Sequence, residues 1–448
     1  MSSSESEIMQ LQPAKGHFSR RQLLWLMALA SGGLVTGCSV NPATGQRQLT
    51  LMSPAQELSL DQQHSPHQLS ADYGQVQDAG LGRYLQETGA AIGSASHRSD
   101  MPYRYLAVNA NYINAYAFPG GTIGVTRGIL LSMDSEAELA ALLGHEVAHV
   151  SARHTAQRMT SQTLTGLAVA GAGLALGAHA NNTTAALALG LGGVAAGALL
   201  ARYSRSDERQ ADSLGLEYMT AAGYSPEGMV KLMELLQSLS SREPGLLEQM
   251  FSSHPMSSER YRDAVREAAG SYADKSNQPL YRERYLDQTA GLRRLQPAIN
   301  LQQQAETQLG QGKAEAALAS LQESLRLAPE DYTGLVLLGK AWLAQENYRQ
   351  AEGPLKAAAR VYPEEAQARH LLGVVALQQR QPSQALQRFK QYQQLLPGNP
   401  MTDFFIGLSH EGLAQRPEAA TAFQRFLDQG GSGEAADYAR QRLAQWGV

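Results

Sequence analysis

Small residues and prolines recur at one interval through the C-terminal third of this 448-residue chain. Gly339, Gly373 and Gly407 stand 34 residues apart, Pro329, Pro363 and Pro397 keep the same step, and so do Ala317, Ala351, Ala385 and Ala419. That step fits a repeated helix–turn–helix whose two helices touch at small residues and whose end is marked by Pro. No single unit buries its own apolar face, so the units must stack. Residues 298–448 are therefore expected to form an α-solenoid.

The pattern is similar to the tetratricopeptide repeat: Leu338-Gly339 with Trp342, then Ala351, Leu355, Ala358 and Pro363, fit one unit. The first of four repeats is degenerate, with Gln304-Ala305 where Leu-Gly would stand, and residues 434–446 read as a capping helix. Such a stack carries no chemistry of its own. It offers a concave surface to peptides or partner proteins, and covalent linkage raises the concentration of whatever it holds near the rest of the chain.

The reactive residue types lie upstream, in Ser135 to Arg158. Ser135 with Glu138 three residues on is a capping-box start. Leu139, Leu142, Leu143, Val147 and Val150 follow at helical spacing, so one face is expected to be buried. His145 and His149 are one turn apart, and both imidazoles point the same way. Together they can take two of the four tetrahedral positions of one Zn²⁺, while Glu146 can reach a water as general base. A third ligand is needed, and Tyr203 to Asp212 offers one. Glu208 and Asp212 are again one turn apart, on a segment continuing as a helix to Gly223. Glu208 would complete a His₂Glu site with one open position, and Asp212 would orient a ligating imidazole. His154 falls five positions after His149, off the ligand face, and reads as structural; His179 reads as a loop residue.

The remaining segments set the context. A net charge of −4 gives no electrostatic case for nucleic-acid binding. Cys38 is the single cysteine, so no intramolecular disulfide can form. Residues 1–37 read as an export signal: Arg20-Arg21, then an apolar run from Leu23 to Val35, broken by Ser31-Gly32-Gly33 and too short to span a bilayer. Leu34-Val35-Thr36-Gly37-Cys38 resembles a bacterial lipobox, which implies cleavage and lipid on Cys38; Ser39 resembles lipoproteins sent on to the outer membrane. An uncleaved N-terminal anchor is the alternative. Ser19-Arg20-Arg21 also resembles a twin-arginine signal, and a general secretory signal is equally compatible.

Pro54 to Ser96 reads as polar helix. Tyr103 to Val108 and Ile113 to Phe118 alternate as strands, and Pro119-Gly120-Gly121 turns the chain into Thr122 to Val125. This predicts a hairpin whose edge can hold an extended peptide through main-chain hydrogen bonds. Residues 163–201 form two Gly/Ala-rich apolar halves around Asn181 to Thr184, each shorter than the roughly 20 residues a membrane helix needs. A close-packed helix pair is expected there, possession of membrane spans being the alternative. Residues 271–297 are charged, lack a clear period and read as a connector.

His145-Glu-x-x-His149, followed 59 positions later by Glu208-x-x-Ala-Asp212, resembles the zinc metallopeptidases related to CAAX prenyl endopeptidase and the bacterial heat-shock membrane protease. Asn114-Ala-Tyr-Ala-Phe-Pro-Gly-Gly121, Val125-Thr-Arg-Gly128, and Ser253-His254-Pro255 with Arg260 resemble three further segments of that family. The resemblance covers about residues 50 to 270. It implies that His254 lies near the zinc, either stabilising the reacting carbonyl's oxyanion or filling the open coordination position in a latent state. Read without the resemblance, His254 is a loop residue before a helix.

The expected fold is mainly α: a gluzincin-like zinc protease domain (38–270) with a small edge β-sheet, a connector (271–297) and the repeat domain (298–448). Zn²⁺ would sit on His145, His149 and Glu208, with Glu146, Asp212 and His254 completing the site. With the repeat tail, the resemblance implies a periplasmic metalloendopeptidase, lipid-anchored at the outer membrane. It would act on unfolded or stalled outer-membrane proteins, and its repeats would engage the outer-membrane assembly machinery. The alternative is a chaperone or scaffold of that assembly with a latent or dispensable protease.

Overall fold

The computed structural model describes residues 38–162, 202–242 and 250–448. The expected signal segment, and the Gly/Ala-rich stretch 163–201 with His179, lie outside the described residues.

The chain opens with a two-stranded antiparallel ribbon, β1 (Cys38–Val40) and β2 (Arg47–Leu49). Helix α1 (Pro54–Ala71) begins at Ser53, where the Ser53 hydroxyl and Gln56 side chain form a reciprocal capping box ahead of Pro54. Helix α2 (Ala79–Ser94) is capped by Asp78, whose carboxylate accepts from the Gly80 and Leu81 amides. Next come β3 (Arg104–Val108), β4 (Ala115–Ala117) and β5 (Thr122–Thr126), in sheet order β3-β5-β4. The hairpin pairs β4 antiparallel with β5, whose other side is parallel to β3. Strand β4 is not an open edge: Ala115, Tyr116 and Ala117 are at most 3% exposed, and Tyr116 and Phe118 pack with Leu60 and Met159.

Strand β5 runs straight into α3 (Arg127–Ser132), and α4 (Glu136–Ser151) follows. Ser135 Oγ accepts from the Glu138 amide, while the Glu138 carboxylate turns to the Asp134 amide rather than closing the expected box. One buried face was expected, yet all 16 residues of α4 are buried. The sheet lies on one side and helices on the others, among them α5 (Arg205–Ala221) and α6 (Glu227–Arg242). Ala137, Ala140, Ala141, Gly144 and Ala148 keep the helix narrow enough to be enclosed. Helices α4 and α5 meet at two glycines. A Cβ on Gly144 would lie 2.7 Å from the Gly215 carbonyl oxygen, and one on Gly215 would lie 2.8 Å from the His145 nitrogen. Helix α7 (Ser258–Ala269) closes this domain.

The segment read as a connector is helical and packed. It contains α8 (Arg282–Gln288) and α9 (Ala290–Arg294), which bury Tyr285 and Leu292 in the N-terminal core. Tyr285 Oη donates to the Leu130 carbonyl at 2.6 Å. Four helix pairs follow: α10 (Gln296–Gly310) with α11 (Ala314–Leu327), α12 (Tyr332–Ala344) with α13 (Tyr348–Val361), α14 (Gln367–Gln378) with α15 (Pro382–Leu395), and α16 (Pro400–Gly412) with α17 (Arg416–Asp428). Helix α18 (Gly433–Trp446) ends the stack. The period has a packing cause. Leu355, Phe389 and Phe423 lie against the bare faces of Gly339, Gly373 and Gly407, where a Cβ would come within 2.5–2.6 Å of them.

The first helices of three repeats grip the N-terminal domain. Arg127 at the start of α3 donates to Asp331 (2.8 Å) and to Gln302, and Asn111 donates to Glu306 (3.0 Å). Ser70 donates to Glu365, Gln367 to the Ser70 carbonyl (3.0 Å), and Thr333 to the Asn109 carbonyl (3.1 Å). The repeats thus spend part of their own surface on the N-terminal domain. Among the described residues no helix is long and apolar enough to cross a membrane.

Candidate metal centre

Helix α4 presents His145 and His149 one turn apart, and α5, held close by the glycine contact, presents Glu208 and Asp212 opposite them. The chain before α7 returns His254 to the same point. One donor atom from each of His145, His149, Glu208 and His254 lies within 4.8 Å of the others, and all four residues are buried. The two Nε2 atoms of His145 and His149 are 3.1 Å apart, and His254 Nδ1 is 3.2 Å from His145 Nε2. Glu208 Oε1 lies 3.4 Å from His149 Nε2 and 3.1 Å from His254 Nδ1. Lone pairs thus converge on one point without protein donors to satisfy them all, as a cation site requires. Glu146, on the same turn, has both carboxylate oxygens buried without a hydrogen-bond partner among the described residues; His254 Nε2 stands 3.7 Å away.

Electrostatics follow from burial and neighbours. Burial pushes Glu146 above the usual carboxylate range, although His254 and His145 pull against it. Burial pushes Glu208 the same way, but His254, His149 and His145 outweigh it and hold Glu208 well below that range. Burial keeps His149 neutral, its pKa well below the ordinary imidazole value. For His254 the carboxylates of Glu208 and Glu146 overcome burial and raise the pKa.

Of the six sequence-predicted residues, the structure brings together His145, His149, Glu208, Glu146 and His254, with Asp212 immediately behind. Asp212 Oδ1 is 2.9 Å from His145 Nδ1, behind the ring whose Nε2 faces the centre. Three supporting residues were not assigned from sequence. Arg260 forks onto Asp212 (Nε to Oδ2 2.6 Å, Nη2 to Oδ1 2.7 Å) and also reaches Glu208 Oε2 at 2.7 Å. Burial would push Asp212 up, but Arg260 holds it below the usual range. The Tyr203 ring stacks on His149 at 3.8 Å between centroids, and burial raises its hydroxyl to about 12. His154 lies outside the donor cluster but touches one of its members: its Nδ1 lies 2.9 Å from His149 Nδ1. Helix α4 ends at Ser151, and Arg153 turns the chain in the left-handed region (φ 59°), which costs a non-glycine residue roughly 1–2 kcal/mol. Glu57 Oε1 and the Met52 carbonyl hold that turn, accepting from Arg153 at 2.8 and 2.7 Å. Only Arg260 had a sequence signal, its place six residues after His254; no spacing rule announces a left-handed arginine.

Residues 81–268 match the peptidase family M48. This segment is an M48 domain. Residues 303–352 and 343–400 match the tetratricopeptide repeat family. The chain is 28% identical over 236 residues to the beta-barrel assembly-enhancing protease of Yersinia pestis, covering 52% of this chain and 48% of that one. It is 30% identical over 230 residues to the putative beta-barrel assembly-enhancing protease of Vibrio cholerae, covering 48% and 46%. To metalloprotease YcaL of Escherichia coli it is 28% identical over 246 residues, covering 52% of this chain and 93% of YcaL. The chain thus spans about half the length of the Yersinia and Vibrio relatives. A metal cofactor follows from that family together with the buried donor cluster.

Proposed function

We propose that this protein is a zinc-dependent metalloendopeptidase acting in quality control and assembly of outer-membrane proteins. The observation that carries the reading is the convergence of His145, His149 and Glu208 on one buried point, beside a Glu146 whose oxygens have no partner. Two imidazoles and a carboxylate fit Zn²⁺ better than the all-oxygen sets of Ca²⁺ or Mg²⁺. A bound Zn²⁺ supplies Lewis acidity, polarising a peptide carbonyl and acidifying water.

The chain's own residues do the rest. His145, with the Asp212 carboxylate 2.9 Å from its Nδ1, turns Nε2 toward the donor cluster. Arg260 keeps Asp212 ionised against its burial and also contacts Glu208, which the neighbouring imidazoles of His254, His149 and His145 hold ionised. Glu146 takes a proton from the attacking water on a carboxylate oxygen and hands it to the departing amine nitrogen; its raised pKa suits both transfers. His254 Nδ1 stands among the donor atoms, so with a metal bound this imidazole would be placed to take a fourth position in a latent state. Swung outward, the same imidazole can donate to a carbonyl oxyanion.

The setting proposed is the periplasm, with Cys38 carrying the lipid anchor to the outer membrane. Unfolded or stalled outer-membrane proteins would be the substrates, and the repeats would recruit them or the assembly machinery. The names of the Yersinia and Vibrio relatives support this part by analogy. A scaffold with a dispensable protease is the competing reading.

The test uses protein beginning at Ser39, with wild type compared to Glu146→Gln. Metal per chain and cleavage of casein are measured together. One zinc per chain in both, with cleavage reduced by about 10²–10⁴ in the variant, is the expected result. Absence of bound metal from wild type refutes the enzyme reading. If Glu146→Gln supports outer-membrane assembly as well as wild type does, the scaffold reading replaces it.

A further inference from the structure

The two metal-facing imidazoles are backed in different ways. His145 Nδ1 stands 2.9 Å from the Asp212 carboxylate, an anion that favours a proton on that nitrogen. His149 Nδ1 meets another imidazole, His154 Nδ1, at 2.9 Å. Two imidazole nitrogens this close share one proton, and nothing in that pair alone says which ring holds it. If His154 donates, His149 must carry its own proton on Nε2, the atom that faces Glu208 and the metal centre. His149 would then be unable to bind a metal there.

The far side of His154 decides the matter. His154 Nε2 lies 2.9 Å from the Gln210 side-chain carbonyl oxygen, which can only accept. Asp207 Oδ1, at 4.0 Å from the same nitrogen, is beyond hydrogen-bond reach. The His154 proton therefore sits on Nε2, its Nδ1 accepts from His149 Nδ1, and His149 Nε2 keeps its lone pair. We propose that Gln210 and His154 form a relay that sets the tautomer of His149, making both of them positioning residues for metal binding. This inference rests on the metal-site reading above.

The fold builds the relay deliberately. On an unbroken helix His154 would stand about 140° around from His149 and could not touch it. The left-handed turn at Arg153 ends α4 early, and the helical residues 154–162 carry His154 back behind its neighbour. Gln210 lies on α5, two residues beyond Glu208. The same helix thus delivers one metal donor directly and orients another through two side chains. Tyr203, stacked on the His149 face, leaves the ring's plane fixed and only its proton to be assigned.

The experiment measures metal dissociation by competition with a chromogenic chelator, using protein stripped and reloaded with Zn²⁺, and records the visible spectrum of the Co²⁺-loaded form. His154→Phe keeps the volume but removes the acceptor, and is expected to weaken metal binding about 10–100-fold and alter the Co²⁺ bands. His154→Gln restores an acceptor and should recover most of that loss. Gln210→Glu, still an acceptor, should bind metal like wild type, whereas Gln210→Lys offers only a donor and should weaken binding as His154→Phe does. Wild-type affinity and an unchanged Co²⁺ spectrum in His154→Phe overturn the relay alone. The relay also fails if His154→Gln is as weak as His154→Phe and both lower the unfolding temperature of the metal-free protein equally, because that describes packing. Wild type without metal affinity overturns the metal-site reading, and the relay with it.

Discussion

Arg127→Met is the sharpest test of how the repeats are joined to the M48 domain. Arg127 is 1% exposed, and its guanidinium donates to Asn111 Oδ1 (2.8 Å), to Asp331 Oδ2 (2.8 Å) and to Gln302. Methionine keeps the apolar stem and removes the charge. Asp331 retains the Gly334 amide (2.8 Å) and Gln302 Nε2 (2.9 Å) as donors but loses its counter-ion in a buried place. Removing one partner of a buried pair costs about 3–5 kcal/mol, and the two surviving hydrogen bonds put the expected value near the low end, about 3 kcal/mol. That is about a hundredfold on the docking equilibrium. In protein starting at Ser39 both tryptophans, Trp342 and Trp446, lie on the repeats, so urea unfolding followed by fluorescence reads the solenoid alone. Circular dichroism reads both domains. In wild type the two probes are expected to coincide, and in Arg127→Met to separate. The double variant with Asp331→Asn should lose less than the sum of the singles. A change under about 0.5 kcal/mol in Arg127→Met, or strict additivity, refutes the claim that this bridge couples the domains.

The same bridge has a pH signature. Burial pushes Asp331 up but Arg127 outweighs it, so its folded pKa lies below the ordinary 3.8. The contribution is then fully present above pH about 4 and lost as pH falls through the lower folded value, a limb that Asp331→Asn should flatten in acid titrations of stability. His254→Ala should raise casein cleavage while loosening the metal, since it removes a competing ligand; reduced cleavage would assign His254 to the oxyanion instead. Arg260→Gln leaves Glu208 and Asp212 without their shared cation and should cost about 10–100-fold in metal affinity by chelator competition, with wild-type affinity refuting its role.

What the sequence disclosed was whatever depends on spacing. The 34-residue step is a contact, Gly373 on Phe389 repeated along the stack, and it stands out because every unit repeats it. His145, His149, Glu208 and Asp212 were legible because a helix turn converts a spacing of four into a shared face. Burial of α4 on all sides was not, because Ala, Gly and Ser on its second face look neutral in a periodicity yet permit enclosure. The packing of the connector was not legible for a related reason. Tyr285 and Leu292 anchor two helices too short to show a period. The grip of the repeats on Arg127 joins residues 204 positions apart, beyond any local pattern.

The glycine pair at the crossing of α4 and α5 governs how the centre can drift under mutation. Two of the proposed metal donors ride on one helix and the third on the other, and Gly144 sits directly beside His145. A methyl group at either glycine would meet backbone, not a side chain that can swing away. The helices would have to part, and the distances from Glu208 to both imidazoles would lengthen together. Neither histidine nor Glu208 could restore them by a rotamer change of its own. Those two positions act as the ruler of the site, closing to variation a pair of residues that never touch the metal.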